Sequence, residues 1–341
     1  MKKKVKIKFL GFWPGFLPED NIFINILKEK YDVELSDNPD YLFFSPIADY
    51  FQYAHYDCVR ILVTGEPFSA DWNSTDYAID FDNYTFGDRH MRYPLYLYQH
   101  QTRGSCPPGR RGLTSQQADE IIRQKTGFCN FIYGHQTVSG NREKIYELVS
   151  QYKRVDSIGK YLNNMPDHET AVFEGNGANK QSYLQRYKFT IAAESMSQPG
   201  FTTEKIKDAF DAYSIPIYWG NPDIAKEFNP DAFIDLNSFP TLEEGIRRLQ
   251  EIDNDPQLYK KMLMAGEFTD PEYPDKKYRE LVEFLYHIFD QDKASAYRRN
   301  RCYIGHTYNA MWQYMSLHFR YRVLKFFYLI YYHFRKGEHC E

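Results

Sequence analysis

Short apolar runs that stop at turn residues alternate with stretches of helical spacing along most of this chain, and this order restricts its fold more than any other feature. The clearest series starts with "GFCNFIYGH" (127–135), which reads as a strand. "SGNREKIYELVSQY" (139–152) follows, with Ile145, Leu148 and Val149 on one helical face. "YKFTIAAE" (187–194) is the next strand, and a helix at about 203–213 carries Ile206, Ala209, Phe210 and Tyr213 at i, i+3, i+4 and i+7. "SIPIYWG" (214–220) and "AFIDL" (232–236) read as strands, with a short helix "PDIAKEF" (222–228) between them. "TLEEGIRRLQEI" (241–252) opens with Thr241 and Glu244 in capping-box spacing. Strands that alternate with helices must pair in parallel, because each crossover returns the chain to the same end of the sheet.

The first 120 residues repeat the theme. Val5, Ile7 and Phe9 alternate with lysines, and "NIFINILKEKY" (21–31) has helical spacing. "YLFFSP" (41–46) and "RILVTGEP" (60–67) are apolar runs that end in turn residues. A length of 341 residues suits two domains. "QTRGSCPPGRRGLTSQQ" (101–117), rich in Gly, Pro and charge, is the candidate linker or flexible loop. The expected division is 1–120, 121–290 and a tail at 291–341.

Composition excludes several classes. A net charge of −4 argues against nucleic-acid binding by bulk electrostatics. The five cysteines show no paired spacing, so neither a zinc site nor a disulfide framework is indicated, which fits a reducing compartment. No G-x-G-x-x-G opens a strand–helix unit, and there is no Walker A motif. Lys6, Lys8, Pro14 and Pro18 break the N-terminal apolar run, which makes a poor signal peptide. The 30 tyrosines suit either stacking surfaces or an ordinary aromatic core. From Ala294 to Gly337 the chain has eight basic residues, no acidic ones and many aromatics. That segment reads as an interfacial helix on an anionic membrane, or as a C-terminal helix packed on the protein.

Three places could carry chemistry. In "QPGFTTEKIKDAF" (198–210), Lys205 falls in the first turn of a helix expected to be capped by Thr202 or Thr203. A cation there is unfavourable unless an anion faces it. Phosphate is the natural ligand of a helix start at the carboxyl end of a parallel strand, and Glu204 could then take the hydroxyls of a ribose. The alternative is that Glu204 and Lys205 are solvated. Glu66 in "VTGEP" follows a buried strand, where a partly desolvated carboxylate can act as a general base or can be a structural turn acid. Asp80 and Asp82 form an acid-x-acid pair, read as strand-end acids in preference to a divalent-metal site.

The stretch 187–239 resembles glycosyltransferase family ten, the α1,3/4-fucosyltransferases, and its bacterial members most. The matching features are Glu194 and Ser195 at a strand end, then Phe201, Thr203, Glu204 and Lys205, then Pro216 to Gly220. "FCNFIYGH" and "YAIDFDNYTFGDRHMRYPLY" (77–96) are also similar to bacterial members, so the likeness covers roughly residues 60 to 290. Ser195 stands where the family has Asn, and Phe201 where it has Tyr; each loses a polar contact to the donor. The resemblance implies a GT-B fold, an α/β arrangement of two Rossmann-like domains facing across a cleft. It implies that the N-terminal domain holds a glycan acceptor of N-acetyllactosamine type and the C-terminal domain holds GDP-fucose. Transfer would invert the anomeric centre. By position Glu66 would be the general base, Arg142 and Lys205 would hold the diphosphate, and Glu204 would bind ribose or fucose hydroxyls. Glu194, Ser195, Phe201 and Thr203 would complete the donor site. No metal is expected, because the cations supply the charge that a divalent ion supplies elsewhere. The tail implies peripheral association with the inner, cytoplasmic face of a membrane, and the family products are Lewis-type antigens. A GT-B transferase with another nucleotide sugar, or a sugar-binding scaffold without activity, are the alternatives.

Overall fold

The computed structural model describes residues 2–13, 15–45, 51–102, 112–137, 139–166, 169, 177–299 and 303–318. By packing, the chain divides into two units. One holds the residues up to Tyr98 and those from Lys276 on, and the other spans Gln99–Asp275. The sequence reading had placed the divisions near 120 and 290.

In the first unit six parallel strands run β1 (Lys4–Leu10), β2 (Asp32–Leu35), β3 (Tyr41–Phe44), β4 (Val59–Val63), β5 (Tyr77–Asp80) and β6 (His90–Arg92), in the spatial order β2-β1-β3-β4-β5-β6. β3, β4 and β5 are buried along their whole length, as strands covered on both faces must be. The helix Ile22–Lys30 forms where Asn21 accepts a hydrogen bond from the Ile24 N–H at 3.0 Å, and it buries Ile22, Phe23, Ile26 and Leu27.

This unit is completed from far along the chain. In the helix Tyr273–Asp290, the Phe289 ring stacks on Tyr41 at 4.0 Å, and Asp290 accepts from the Tyr31 hydroxyl at 2.8 Å. Beyond it Arg299 pairs with Asp76, and both are buried. The helix Tyr303–Leu317 lays Asn309 and Gln313 on the Ala54 carbonyl and stacks Trp312 on Phe51 at 4.1 Å. Its opposite face leaves Tyr303, Ile304, Met311, Tyr314 and Leu317 exposed. Within the tail, Tyr303–Leu317 is thus a packed helix. Residues 319–341 of the expected membrane-associating tail lie outside the described residues. Among those described, no helix is long and apolar enough to cross a membrane.

In the second unit β7 (Gly127–Phe131), β8 (Val155–Ser157), β9 (Tyr187–Ala193), β10 (Ile215–Trp219) and β11 (Ile234–Asp235) form a parallel sheet ordered β11-β10-β9-β7-β8. Phe131, Phe189, Ile191, Ile217 and Leu249 fill its core. Part of the candidate linker lies among the described residues. Thr114 caps a helix at Ser115–Gln124 through a reciprocal capping box with Gln117, a T-x-x-Q signal hidden in the Gly- and Pro-rich surroundings. Thr241 caps Leu242–Asn254 as its spacing predicts, by accepting from the Glu244 N–H at 3.3 Å. Two parallel α/β units are what the GT-B resemblance implies.

Candidate functional site

The chemistry of the second unit gathers where β7 and β9 end. Glu194 is the first residue past β9, and its N–H extends the ladder to the Trp219 carbonyl at 2.8 Å. Its side chain is wholly buried, so its charge must be met inside the protein. Three donors meet it. The Thr203 N–H reaches Oε1 at 2.7 Å, and the Thr203 hydroxyl lies within 3.0 and 2.8 Å of the two oxygens. Lys205 Nζ donates to Oε2 at 3.0 Å and to the Thr203 hydroxyl at 2.7 Å.

These contacts revise the expected cap. Thr203 occupies the N-cap position of the helix Glu204–Asp211, but its hydroxyl serves Glu194 and caps nothing. The Thr202 hydroxyl accepts instead from Asn221 at 3.1 Å. Lys205 also already has anions, Glu194 at 3.0 Å and Glu204 at 3.7 Å. Burial opposes the Lys205 charge, yet the two carboxylates hold its pKa above the ordinary lysine value. Burial likewise opposes the charge on Glu204, but Lys205 and then Lys180 bring it down to about 2.

The loop between Glu194 and Thr203 is tied down. Asn221 Oδ1 accepts from the Gly200 N–H at 2.8 Å, and the Ser197 hydroxyl donates to the Gly220 carbonyl at 2.8 Å. Gly220 has φ +151°, and a Cβ on it would meet Glu194 Cγ at 2.6 Å. Only glycine leaves room there for the buried carboxylate. Within the loop Ser195 is exposed, whereas Phe201 is buried.

Arg142 stands in the first turn of the helix Asn141–Tyr152, 6 % exposed. Its guanidinium lies 3.9 Å from the centre of the Tyr133 ring. Nη1 and Nη2 donate to the carbonyls of His135 and Ala193 at 3.3 and 3.2 Å, and Nε has no partner. Among the described residues no carboxylate pairs with it, and its neighbour Glu143 is engaged by Thr137. Tyr133 joins the two cations. Its hydroxyl accepts from the Ala193 N–H at 2.8 Å, and burial pushes it up to about 12 although Arg142 and Lys205 both pull it down. Sequence reasoning placed Gly220 in the family pattern without a role and missed Tyr133 and Asn221, whose signal is position just past the ends of β7 and β10.

The remaining candidates lie in the first unit. Glu66 follows β4, its N–H donating to the Thr64 hydroxyl at 3.1 Å, and it is exposed where partial desolvation was expected. Asp80 ends β5 fully buried and accepts from His90 at 2.8 Å and from the Asp82 N–H at 2.9 Å. Burial raises the pKa of Asp82. Among the described residues no group of three or more His, Cys, Asp or Glu is placed to hold a metal.

The arrangement in the second unit suits a bound anion. Arg142 is a buried cation with an unused donor at a helix start, and Lys205 is a second, partly neutralised cation nearby.

Comparison with known proteins places the family. Residues 7–99 match the alpha-(1,3)-fucosyltransferase FucT N-terminal domain, and residues 122–272 match glycosyltransferase family 10 (fucosyltransferase), C-terminal part. The alpha-(1,3)-fucosyltransferase FucT of Helicobacter pylori is 26% identical over 309 residues, 80% of this chain and 63% of that protein. A putative fucosyltransferase of Acanthamoeba polyphaga mimivirus is 28% identical over 257 residues, 74% of this chain and 39% of that one. The chain thus spans less than two thirds of the length of these relatives. The crystal structure of an alpha1,3-fucosyltransferase superposes with a TM-score of 0.71 at 24% identity, covering 88% of this chain and 93% of the other. One with GDP-fucose gives 0.63 at 24% identity, covering 83% and 91%.

Proposed function

This chain belongs to glycosyltransferase family 10, and from that premise we propose that it transfers fucose from GDP-fucose to a hydroxyl of an N-acetyllactosamine-type glycan with inversion. The observation that carries the donor side is Arg142, a buried guanidinium at a helix start with no carboxylate partner among the described residues. A diphosphate is the ligand that such a group lacks. Lys205 is held in place by Glu194 and Thr203, so it offers its charge without first being ordered. Glu204, Ser195, Thr203 and the buried Phe201 complete the donor site, with Glu204 taking sugar hydroxyls.

In the reaction the acceptor oxygen attacks the anomeric carbon and the bond to the β-phosphate oxygen breaks. The acceptor proton passes to the Glu66 carboxylate, and the electron pair leaves with the diphosphate. The transition state is oxocarbenium-like, and one carboxylate suffices because GDP departs without a proton. Arg142 and Lys205 would stabilise the leaving charge without a metal. The basic, aromatic residues beyond Leu317 would hold the protein on the inner face of an anionic membrane.

The test is incubation of the full chain with GDP-fucose and type 1 or type 2 glycans in EDTA, with the product linkage read by NMR. An α1,3-fucosylated type 2 chain is expected. Transfer from another nucleotide sugar, or tight GDP binding with no transfer, would overturn the donor or the activity. Co-sedimentation with anionic vesicles tests the membrane role, which fails if the protein stays in the supernatant.

A further inference from the structure

The carboxyl edge of the first unit's sheet is unlike that of the second. In an open parallel sheet this edge is where ligands bind. Four large rings stand exposed on loops that follow its strands: Trp13 after β1, Phe68 after β4, and Tyr84 and Phe86 after β5. Such rings cost free energy in water, and a cluster of them marks a contact surface.

Phe68 is the most open of them, 46% exposed. Among the described residues its ring stacks on no other ring. Its position is nonetheless built. Its N–H donates back to the Glu66 carbonyl at 2.7 Å, a tight three-residue turn centred on Pro67. The loop that carries it follows β4, which pairs in parallel with β5, the strand that leads into Tyr84 and Phe86. Tyr84 is backed by His90, stacked at 4.4 Å, and Phe86 by Trp72 at 4.6 Å. These rings are therefore supported from behind and still exposed.

The charges around them select the ligand. Glu66 is exposed two residues from Phe68. The nearby cation, Arg89, donates to the carbonyls of Thr75 and Asp76 and lies over the Trp72 and Phe86 rings. Among the described residues of these loops an anion meets the exposed Glu66 carboxylate, while the Arg89 guanidinium is covered by rings and carbonyls. A neutral pyranose fits: its C–H face lies on the electron-rich face of a ring, and its hydroxyls donate to a carboxylate. Resting on the fucosyl-transfer reading above, we propose that Phe68, with Tyr84 and Phe86 on the loop after the neighbouring strand, forms the stacking surface that positions a neutral pyranose of the acceptor beside Glu66.

The experiment measures kcat and KM of the full chain for N-acetyllactosamine, with GDP affinity by calorimetry alongside. Phe68→Ala is expected to raise the acceptor KM roughly tenfold. GDP affinity should stay as it was, and Phe68→Trp should restore the KM. Phe86→Ala should raise the acceptor KM by a smaller factor. An acceptor KM unmoved in both alanine variants overturns the proposal. If the unaltered protein transfers no fucose, the activity reading has failed, and the surface is tested on its own by NMR titration with free N-acetyllactosamine. Binding lost in Phe68→Ala then supports the surface, and binding that is equal in both proteins, or absent in the unaltered one, overturns it.

Discussion

At the carboxyl ends of β7 and β9 the second unit presents Arg142, Glu194, Glu204 and Lys205, whereas at the ends of β4 and β5 the first unit presents Phe68, Tyr84, Phe86 and the exposed acids Glu66 and Asp88. The charged edge is tightly bonded. Glu194, Thr203 and Lys205 form a closed set of hydrogen bonds, and Asn221 anchors the loop that joins them. The aromatic edge is open, with rings supported from behind and free in front. Two parallel sheets thus present different side-chain chemistry at their carboxyl edges, and the difference resides in the strand-end loops. Fixed charge in a dry setting suits a phosphate; exposed rings beside a carboxylate suit a neutral sugar.

The contrast can be broken at either edge. The largest effect is expected from Glu66→Gln, which removes the proposed base but no buried contact. Its kcat should fall about a thousandfold, within the range for general bases, while the melting temperature holds. An active Glu66→Gln protein would place the base elsewhere. Lys205→Ala should act differently, because it strands the buried Glu194 carboxylate. A loss of about 3 kcal/mol in denaturant unfolding is expected together with lost transfer. Full stability in that variant would mean that Thr203 alone satisfies Glu194. Arg142→Met should sharpen the comparison, since no carboxylate is left behind. GDP affinity should drop about tenfold to a hundredfold by calorimetry, with little change in stability. Unchanged GDP affinity would remove Arg142 from the donor site.

The smallest effect is a pH dependence. Glu204 has a folded pKa depressed to about 2, so its contribution to stability is present above its ordinary value of 4.5 and is lost as pH falls towards 2. The raised pKa of Lys205 acts at the other end. Its contribution is complete below the ordinary lysine value of 10.5 and is lost only as pH rises through the higher folded value. Unfolding of Glu204→Gln followed from pH 7 to pH 2 should show a shallower acid limb than the unaltered chain. Identical limbs would place the acid-sensitive group elsewhere.

Much of this was legible along the chain, though unevenly. Strands such as Tyr187–Ala193 and Val59–Val63 declared themselves as apolar runs bounded by turn residues. Asp32–Leu35 and Val155–Ser157 did not, because three or four residues carry too little pattern. Glu66 and Lys205 could be singled out because each stands where a strand ends or a helix begins, whereas Arg142 came only from the family resemblance. Whether a side chain at such a place faces solvent, a core or another charge depends on residues that close over it from elsewhere. Glu66 is exposed and Phe201 is buried for that reason.

By itself, the sequence determined the order of strands and helices, the ends of the strands and the presence of a cation in the first turn after β9. These follow from periodicity and turn chemistry, which act over a few residues. Tertiary structure alone decided that Lys205 is met by Glu194, that Arg142 is buried with no carboxylate partner among the described residues, and that the chain returns after two hundred residues to set Phe289 on Tyr41 and Arg299 on Asp76. The reason is physical. A local pattern states that a group will be buried, while the charge or ring that meets it is chosen by packing between distant segments.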